Sequence, residues 1–182
     1  IPYLTTEQLI ELGQKTEADY LVMTDYPAEH SSKTIASAEE QAEKIREAGF
    51  GTFFVPQSKI GDLSDLIDAF DWAVNSELVD YIGFSILAIP NGFGVEKNNR
   101  LQRYLSRHHF VNLLNEHMFH KYDKTLPEML EDNNKLVHYL GMVDGPNEIA
   151  LAQDQYSLTG FAVDTWDSSS AIWAGISRKQ YD

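Results

Sequence analysis

Several apolar runs in this chain stop at side chains that can carry chemistry. In LVMTDYP, GTFFVPQ and GFAVDTWD these side chains are Asp25, Tyr26, Gln57, Asp164, Trp166 and Asp167. Small residues stand at the ends of YIGFSI and HYLGM, where they are Gly83, Ser85 and Gly141. Carboxylates act as acids, bases or nucleophiles, and an amide both donates and accepts hydrogen bonds. These residue types predict a site if the ends of the runs meet.

Each polar side chain also has a purely structural interpretation. Asp25 stands two residues before Pro27, where aspartate is common in turns. Gln57 follows Pro56 and can simply end a strand. Asp167 precedes three serines and can be the N-cap of a helix. A shared pocket would favour the chemical interpretation.

The elements that must position these residues alternate between strand and helix periodicity. The predicted strands are 21–25, 51–57, 80–89, 135–142 and 160–167. The predicted helices are 5–18, 37–49, 63–77, 100–122, 126–132 and 146–156. Ser37 and Glu40 have the spacing of a capping box, and the segment PNGFG is predicted to be irregular.

This alternation predicts a single α/β domain over residues 1–182, with parallel strands and right-handed crossovers. The strands are continuous apolar runs, so we expect both faces of the sheet to be covered. Two architectures fit. The first is a (β/α)₈ barrel that lacks its first strands in this chain, and the second is an open parallel sheet. In both, function lies at the carboxyl ends of the strands.

Composition narrows the class of protein. The chain has no cysteine, which excludes disulfides and thiolate metal sites and is compatible with the cytoplasm. No apolar run is long enough to cross a membrane. The net charge of −14 opposes binding to nucleic acid. One basic segment is an exception, and it is either a solvated helix face or a nucleic-acid contact: Lys97, Arg100, Arg103 and Arg107.

The order of the motifs resembles the tRNA-guanine transglycosylases. ADYLVMTDYPA, GFGTFFVPQ and YIGFSI resemble three successive strands of that family that bind the incoming base. HYLGMVDGPNEIALA resembles its LMG-x-G-x-P segment, and GFAVDTWDSSSAIWAG resembles the strand that carries its catalytic aspartate. The chain is most similar to the divergent members of phages and bacteria, some of which exchange guanine for a 7-deazaguanine in DNA.

The resemblance implies roles for individual residues. Asp25 and Gln57 would bind the base and Gly83 would pack against it, with Ser85 and Gly141 nearby. Asp167 would be the nucleophile that forms a covalent glycosyl intermediate, with Asp164 as the alternative, because the VDTWD spacing permits both. Tyr26 or Trp166 would stack on the base, which must leave its own stack to react. No cofactor is implied.

The chain also departs from the family. The family's structural zinc site uses three cysteines and a histidine, and this chain has no cysteine. His117 and His120 could belong to a histidine-based metal site, but unrelated surface histidines are the more frequent case, so we expect no metal. The segment that handles the proton in the family is not found, and three serines replace the P-T-R that follows the nucleophile. Two other functions therefore stay open. One is a barrel enzyme acting on a small anionic metabolite, and the other is a non-catalytic binding or inhibitory module of phage type.

Overall fold

The computed structural model describes residues 3–96, 98–142 and 145–168. The helices are α1 (Thr6–Thr16), α2 (Ser31–Glu47), α3 (Leu63–Asn75), α4 (Ala88–Phe93), α5 (Arg100–Tyr122), α6 (Leu126–Asp132) and α7 (Gly145–Thr159). The strands are β1 (Tyr20–Val22), β2 (Gly51–Phe54), β3 (Tyr81–Ser85), β4 (Leu136–Leu140) and β5 (Thr165–Trp166). The predicted mixed α/β class is confirmed.

The strands form one parallel sheet in the order β1-β2-β3-β4-β5, which is also their order in the chain. Leu21 pairs with Thr52, Ile82 with Val137, and His138 with Thr165. Parallel neighbours need a crossover at every step, and here each crossover contains a helix. Over the described residues, therefore, the sheet is an open parallel one whose strand order never reverses.

The helices cover one face of this sheet only. The main apolar core joins residues of all six connecting helices, α2 to α7, to one face of the strands, where Leu21, Phe54, Ile82 and Val137 lie. Right-handed crossovers between strands in sequential order all place their helices on the same side. The expectation that both faces are covered is therefore wrong for the described part of the chain.

The opposite face, which we call the open face, carries the alternate strand residues. Phe53, Val55 and Tyr81 form a small apolar cluster there with Leu140, and this cluster contains no helix residue. The rings of Phe53 and Tyr81 stack with centroids 5.2 Å apart. The ring of Tyr20 contacts the ring of Tyr81 edge-on, and 40% of the surface of Tyr20 is exposed. The open face of the sheet is therefore largely aromatic around Tyr81.

Several predicted boundaries are wrong, since the strands predicted over 21–25, 80–89 and 160–167 are shorter in the structure, and two helices also differ. Helix α2 begins at Ser31 and not after Ser37, because the His30 ring accepts a hydrogen bond from the Ser32 N–H at 3.2 Å and the buried Asp65 accepts from the Ser31 N–H at 2.9 Å. The segment predicted to be irregular forms most of α4. Pro90 is tolerated there because it lies in the first turn, where a backbone N–H has no helical partner.

A buried carboxylate ties α3 to α5. Asp71 accepts hydrogen bonds from Tyr122 at 2.6 Å and Lys121 at 3.1 Å, and its other contact is His117 at 2.6 Å. Burial acts to raise the pKa of Asp71, but the hydrogen bonds from Tyr122, His117 and Lys121 outweigh it and hold the pKa below its ordinary value. The ionised form of Asp71 therefore stabilises the fold.

We expect this cluster to make stability depend on acid pH. Since the pKa of Asp71 is lower in the folded chain than in the unfolded one, its contribution is present above about pH 4 and is lost as the pH falls through the folded value. Asp71→Asn should cost about 2 kcal/mol at neutral pH, and less as the solution becomes acidic. Thermal unfolding as a function of pH measures this. Asp68→Asn, at an exposed position of the same helix, is the control and should change little.

A helix that crosses a membrane needs about 20 predominantly apolar residues. None of the helices in the described residues is both long enough and apolar enough to cross a bilayer.

Candidate functional site at the carboxyl ends of the strands

Two groups of polar side chains lie at the carboxyl edge of the sheet. The first follows β1 and β2, and the second follows β4 and β5. Glycine stands between them on the open face, at Gly83 of β3. The edge therefore carries polar groups on both sides of a strand position that has no side chain.

The first group is the pair Asp25 and Gln57. The Gln57 Nε2 donates a hydrogen bond to Asp25 Oδ2 at 2.6 Å. Gln57 is 4% exposed, and Asp25 is half-buried. The structure thus brings together the two residues for which the sequence predicted a shared binding role.

Neither the charge of the Asp25 carboxylate nor the amide oxygen of Gln57 is fully stabilised by its surroundings. Burial raises the pKa of Asp25, and the hydrogen bond from Gln57 only partly opposes that rise. The Gln57 Oε1 is buried and has no hydrogen-bond partner among the described residues. A buried acceptor without a donor costs free energy, so a ligand that donates an N–H group to it would be favoured. The pair has the properties of a binding site more than those of a structural anchor.

The second group centres on Asp167. Its Oδ1 accepts from the Gly141 N–H at 3.0 Å, and its Oδ2 accepts from His138 Nε2 at 2.8 Å. The side chain of Asp167 is still 57% exposed. Both oxygens are oriented by the protein while the carboxylate remains open to a ligand, which is the arrangement that a nucleophile needs.

A chain of hydrogen bonds continues from Asp167 into the open face. His138 Nδ1 lies 2.7 Å from Thr165 Oγ1, which lies 2.7 Å from the Tyr81 hydroxyl. Sequence reasoning missed His138, Thr165 and Tyr81. One signal was available, since His138 is a polar residue between the apolar Val137 and Tyr139 and so must face the opposite side of the sheet.

Gly141 has a structural reason to be glycine. Its φ is +73°, and a Cβ at this position would lie 2.7 Å from Ile86 Cγ2. Its N–H is already bonded to Asp167, so it orients that carboxylate. The role in base binding that the sequence suggested stays a prediction.

Gly83 and Ser85 are less open than expected. A Cβ added at Gly83 would lie 2.7 Å from Phe53 Cε1 and 2.9 Å from Leu140 Cδ1, so neighbouring side chains already cover its backbone. A base could reach that backbone only if Phe53 or Leu140 moved. The Ser85 hydroxyl accepts from the N–H groups of Leu87 and Ala88, which anchors the turn into α4.

The two predicted stacking residues do not lie together. The Tyr26 ring lies against Tyr3, with centroids 5.0 Å apart, and 4.6 Å from the Lys33 ammonium. Trp166 pairs with Tyr139 and lies on the helix-covered side of the sheet, where it lines a cavity of about 520 Å³ beside α7. Since Thr165 and Trp166 are adjacent in β5, they face opposite sides. Trp166 therefore cannot stack on a ligand at the open face.

Asp164 is not at the carboxyl edge. Its Oδ2 accepts from the Val137 N–H at 2.7 Å, and its own N–H donates to the Val137 carbonyl at 2.9 Å. Val137 is the second residue of β4, so these bonds lie near the amino end of the strand. The role of Asp164 as the alternative nucleophile stays a prediction, and in the structure its carboxylate completes the edge of the sheet.

The basic segment does not act as one surface. Arg107 is fully buried, where it donates to Glu148 and to the carbonyls of Phe84 and Leu140. Arg107 as a nucleic-acid contact is therefore a wrong prediction. Arg100 is exposed and Arg103 half-buried, whereas Lys97 lies outside the described residues.

No metal centre emerges from the side chains. Across the described ranges, no three His, Cys, Asp or Glu residues group so that they could hold a metal ion. The histidine of the HMFH segment that faces inward, His117, is instead bonded to Asp71.

Comparison with known proteins gives no assignment. No family model matches the chain, and neither a curated protein nor a solved structure does. The function must therefore be inferred from the geometry of the chain itself.

Proposed function

We propose that the chain is a nucleobase-exchanging transglycosylase that replaces guanine by a 7-deazaguanine in DNA or tRNA. The observation that carries the proposal is the pairing of Asp25 with Gln57 on the same sheet edge as an exposed, doubly oriented Asp167. The first pair offers an acceptor carboxylate and an amide to the edge of a purine. The second carboxylate is free to attack a sugar.

The spacing of the two groups supports this division of roles. Gln57 follows β2 and His138 belongs to β4, so two strand spacings, or about 10 Å, separate their backbones. A backbone separation of this size leaves room between the two groups for a nucleoside, so that one group binds the base and the other reaches the sugar bonded to it.

The reaction would proceed in two displacements. The Asp167 carboxylate attacks the anomeric carbon, the bond from that carbon to the base nitrogen breaks, and the base leaves with the electron pair and takes a proton from solvent. The incoming base, having lost a proton to solvent, attacks the same carbon. The ester bond to Asp167 then breaks, which regenerates the carboxylate.

The order of the strands and the position of the helices also support a proposal about the fold. A sheet whose strands keep their chain order, with helices on one face, has the arrangement of consecutive units of a (β/α)₈ barrel. The open face would then correspond to the barrel interior. We propose that this chain contributes five such units.

The test is an exchange assay with radiolabelled guanine and either duplex DNA or tRNA. The wild-type chain should incorporate label into one of the two polymers. If it labels neither, the transglycosylase proposal is overturned. Thermal unfolding in the presence of guanine measures binding separately, and a higher melting temperature is expected.

A prediction for Asp25 separates binding from stability. Because burial raises its pKa, the ionised carboxylate costs stability at neutral pH, and this cost is absent below the unfolded value near pH 4. Asp25→Asn removes the charge while its amide oxygen can still accept from Gln57. We expect a melting temperature equal to or above that of wild type, together with guanine affinity about 10- to 100-fold weaker.

Calorimetric titration with guanine and a thermal scan measure the two effects of Asp25→Asn. Asp19→Asn, a substitution of the same type on the amino side of β1, is the control and should leave affinity unchanged. Unchanged affinity in Asp25→Asn would remove the carboxylate from the binding site.

A second candidate is a protein that binds a purine without catalysis. The net charge of −14 and the burial of Arg107 favour it, since both weaken attraction to a polyanion. The same pair of assays distinguishes it: guanine would raise the melting temperature, and no label would enter DNA or tRNA.

A further inference from the structure

His138 occupies a position that the proposed reaction does not yet use. It lies on β4, between the exposed carboxylate of Asp167 and the hydroxyls of Thr165 and Tyr81 on the open face. The side chain of His138 is 16% exposed, against 57% for Asp167. The imidazole is thus a mostly buried group whose two nitrogens both have partners.

The hydrogen bonds specify which nitrogen of a neutral imidazole carries the proton. An ionised carboxylate only accepts, so Nε2 must donate to Asp167. Nδ1 is then an acceptor, and Thr165 must donate to it. The Thr165 oxygen in turn accepts from the Tyr81 hydroxyl, so the donors run in one direction from Tyr81 to Asp167.

Neighbouring aromatic rings also hold the imidazole ring of His138 in its orientation. The Phe53 ring from β2 lies edge-on to the imidazole at 5.5 Å between centroids, and Tyr81 from β3 lies at 6.3 Å. Asp167 is the charged group in contact with His138, and Tyr81 is the other titratable group on its chain of hydrogen bonds. Rotation of the ring would break the bonds at both nitrogens.

We propose that His138 is a positioning residue, held as the Nε2–H tautomer by Thr165 and Tyr81, which aims the Asp167 carboxylate at the substrate. This inference rests on the proposed function for the role of Asp167 as nucleophile. His138 itself neither touches the base nor forms a bond to the sugar. Its effect is to prevent Asp167 from turning away from the attack direction, and small misplacements of reacting groups cost about 100-fold in rate.

Two substitutions of His138 separate positioning from simple packing. The amide of His138→Gln can donate to Asp167 and accept from Thr165, as the neutral imidazole does, whereas His138→Ala can do neither. We expect His138→Gln to keep the exchange rate within about 3-fold of wild type. His138→Ala should lose about 100-fold in kcat with little change in KM for the base. Equal losses in both variants, or no loss in His138→Ala, would overturn the proposal.

Long-range ¹⁵N–¹H nuclear magnetic resonance at mildly alkaline pH reports the tautomer without any need for activity. The wild-type chain should show His138 with its proton on Nε2. Thr165→Val, which removes the hydroxyl at nearly constant shape, should weaken that preference, and Thr165→Ser should keep it. A proton on Nδ1 in wild type would overturn the inference. If wild type shows the expected tautomer but exchanges no base, the proposed function fails while the arrangement around His138 stands.

Discussion

Asp167→Asn should lower the rate of base exchange by about four orders of magnitude or more, with guanine affinity nearly unchanged. The amide oxygen can still accept from the Gly141 N–H, so the local structure should persist. An amide is a poor nucleophile toward a sugar carbon, however, and loss of a covalent nucleophile has effects of this size. In the proposed site the base contacts Asp25 and Gln57 at the other side of the edge, so it should bind as before.

The measurement is single-turnover exchange of labelled guanine, with thermal unfolding to establish that the variant is folded. Trapping with substrate, followed by mass spectrometry of the denatured chain, should locate a glycosyl adduct on Asp167 of the wild type. Asp164→Asn is the informative companion, because its carboxylate binds the Val137 N–H. It should lose stability and keep exchange. Retention of more than a tenth of the wild-type rate by Asp167→Asn would exclude Asp167 as the nucleophile.

Arg107→Met should be the most destabilising single substitution proposed here, at about 3–5 kcal/mol. The guanidinium is fully buried, and it joins α5 to Glu148 of α7 and to the carbonyls that end β3 and β4. It also stacks on the Tyr139 ring at 4.4 Å. Removing one partner of a buried ion pair leaves the other charge in the interior, which costs this much in other proteins.

Chemical denaturation measures the loss, and two further variants make the result interpretable. Arg103→Met, one turn earlier on α5 and half-buried, should cost less than 1 kcal/mol. The double variant Arg107→Met with Glu148→Met removes both charges and should recover part of the lost stability. If the double variant is no more stable than Arg107→Met alone, the uncompensated charge is not the cause of the loss.

The sequence predicted the order of strands and helices well, because each βα unit has its own periodicity. It did not predict that one face of the sheet is open. Continuous apolar runs such as YIGFS look the same whether Tyr81 packs beneath a helix or against Phe53 and His138 on the face that has no helix. The start of α2 was also missed, since it depends on Asp65, which is 34 residues away from Ser31.

For the candidate site, sequence analysis singled out polar residues at strand ends and missed the polar residues that lie within strands. Asp25 and Gln57 end their runs and were found to be hydrogen-bonded. His138 and Thr165 lie inside β4 and β5, and their meeting depends on strand register, which local sequence does not encode. Asp164 and Asp167 could not be separated by spacing alone, whereas their hydrogen bonds to opposite ends of β4 separate them.

The sequence contains a helical pattern that indicates the burial of Arg107, although a count of the charged residues does not show it. Arg107 precedes Phe110, Val111 and Leu114 by three, four and seven residues, so it shares their inward face of α5. Arg100 belongs to the same run of cations but lies at the first, exposed position of the helix. Helical position, and not residue type, decides which cations reach solvent.

The sequential order of the strands also bears on how the chain is made. Each strand pairs with the one synthesised just before it, so a nascent βα unit always finds its partner already outside the ribosome. Three of the four crossovers contain a single helix, and only the crossover between β3 and β4 contains three, so most steps close a short stretch of chain at a low entropy cost. We therefore expect stepwise cotranslational folding from β1 onward, with resistance to proteolysis appearing as β3 and the elements after it emerge.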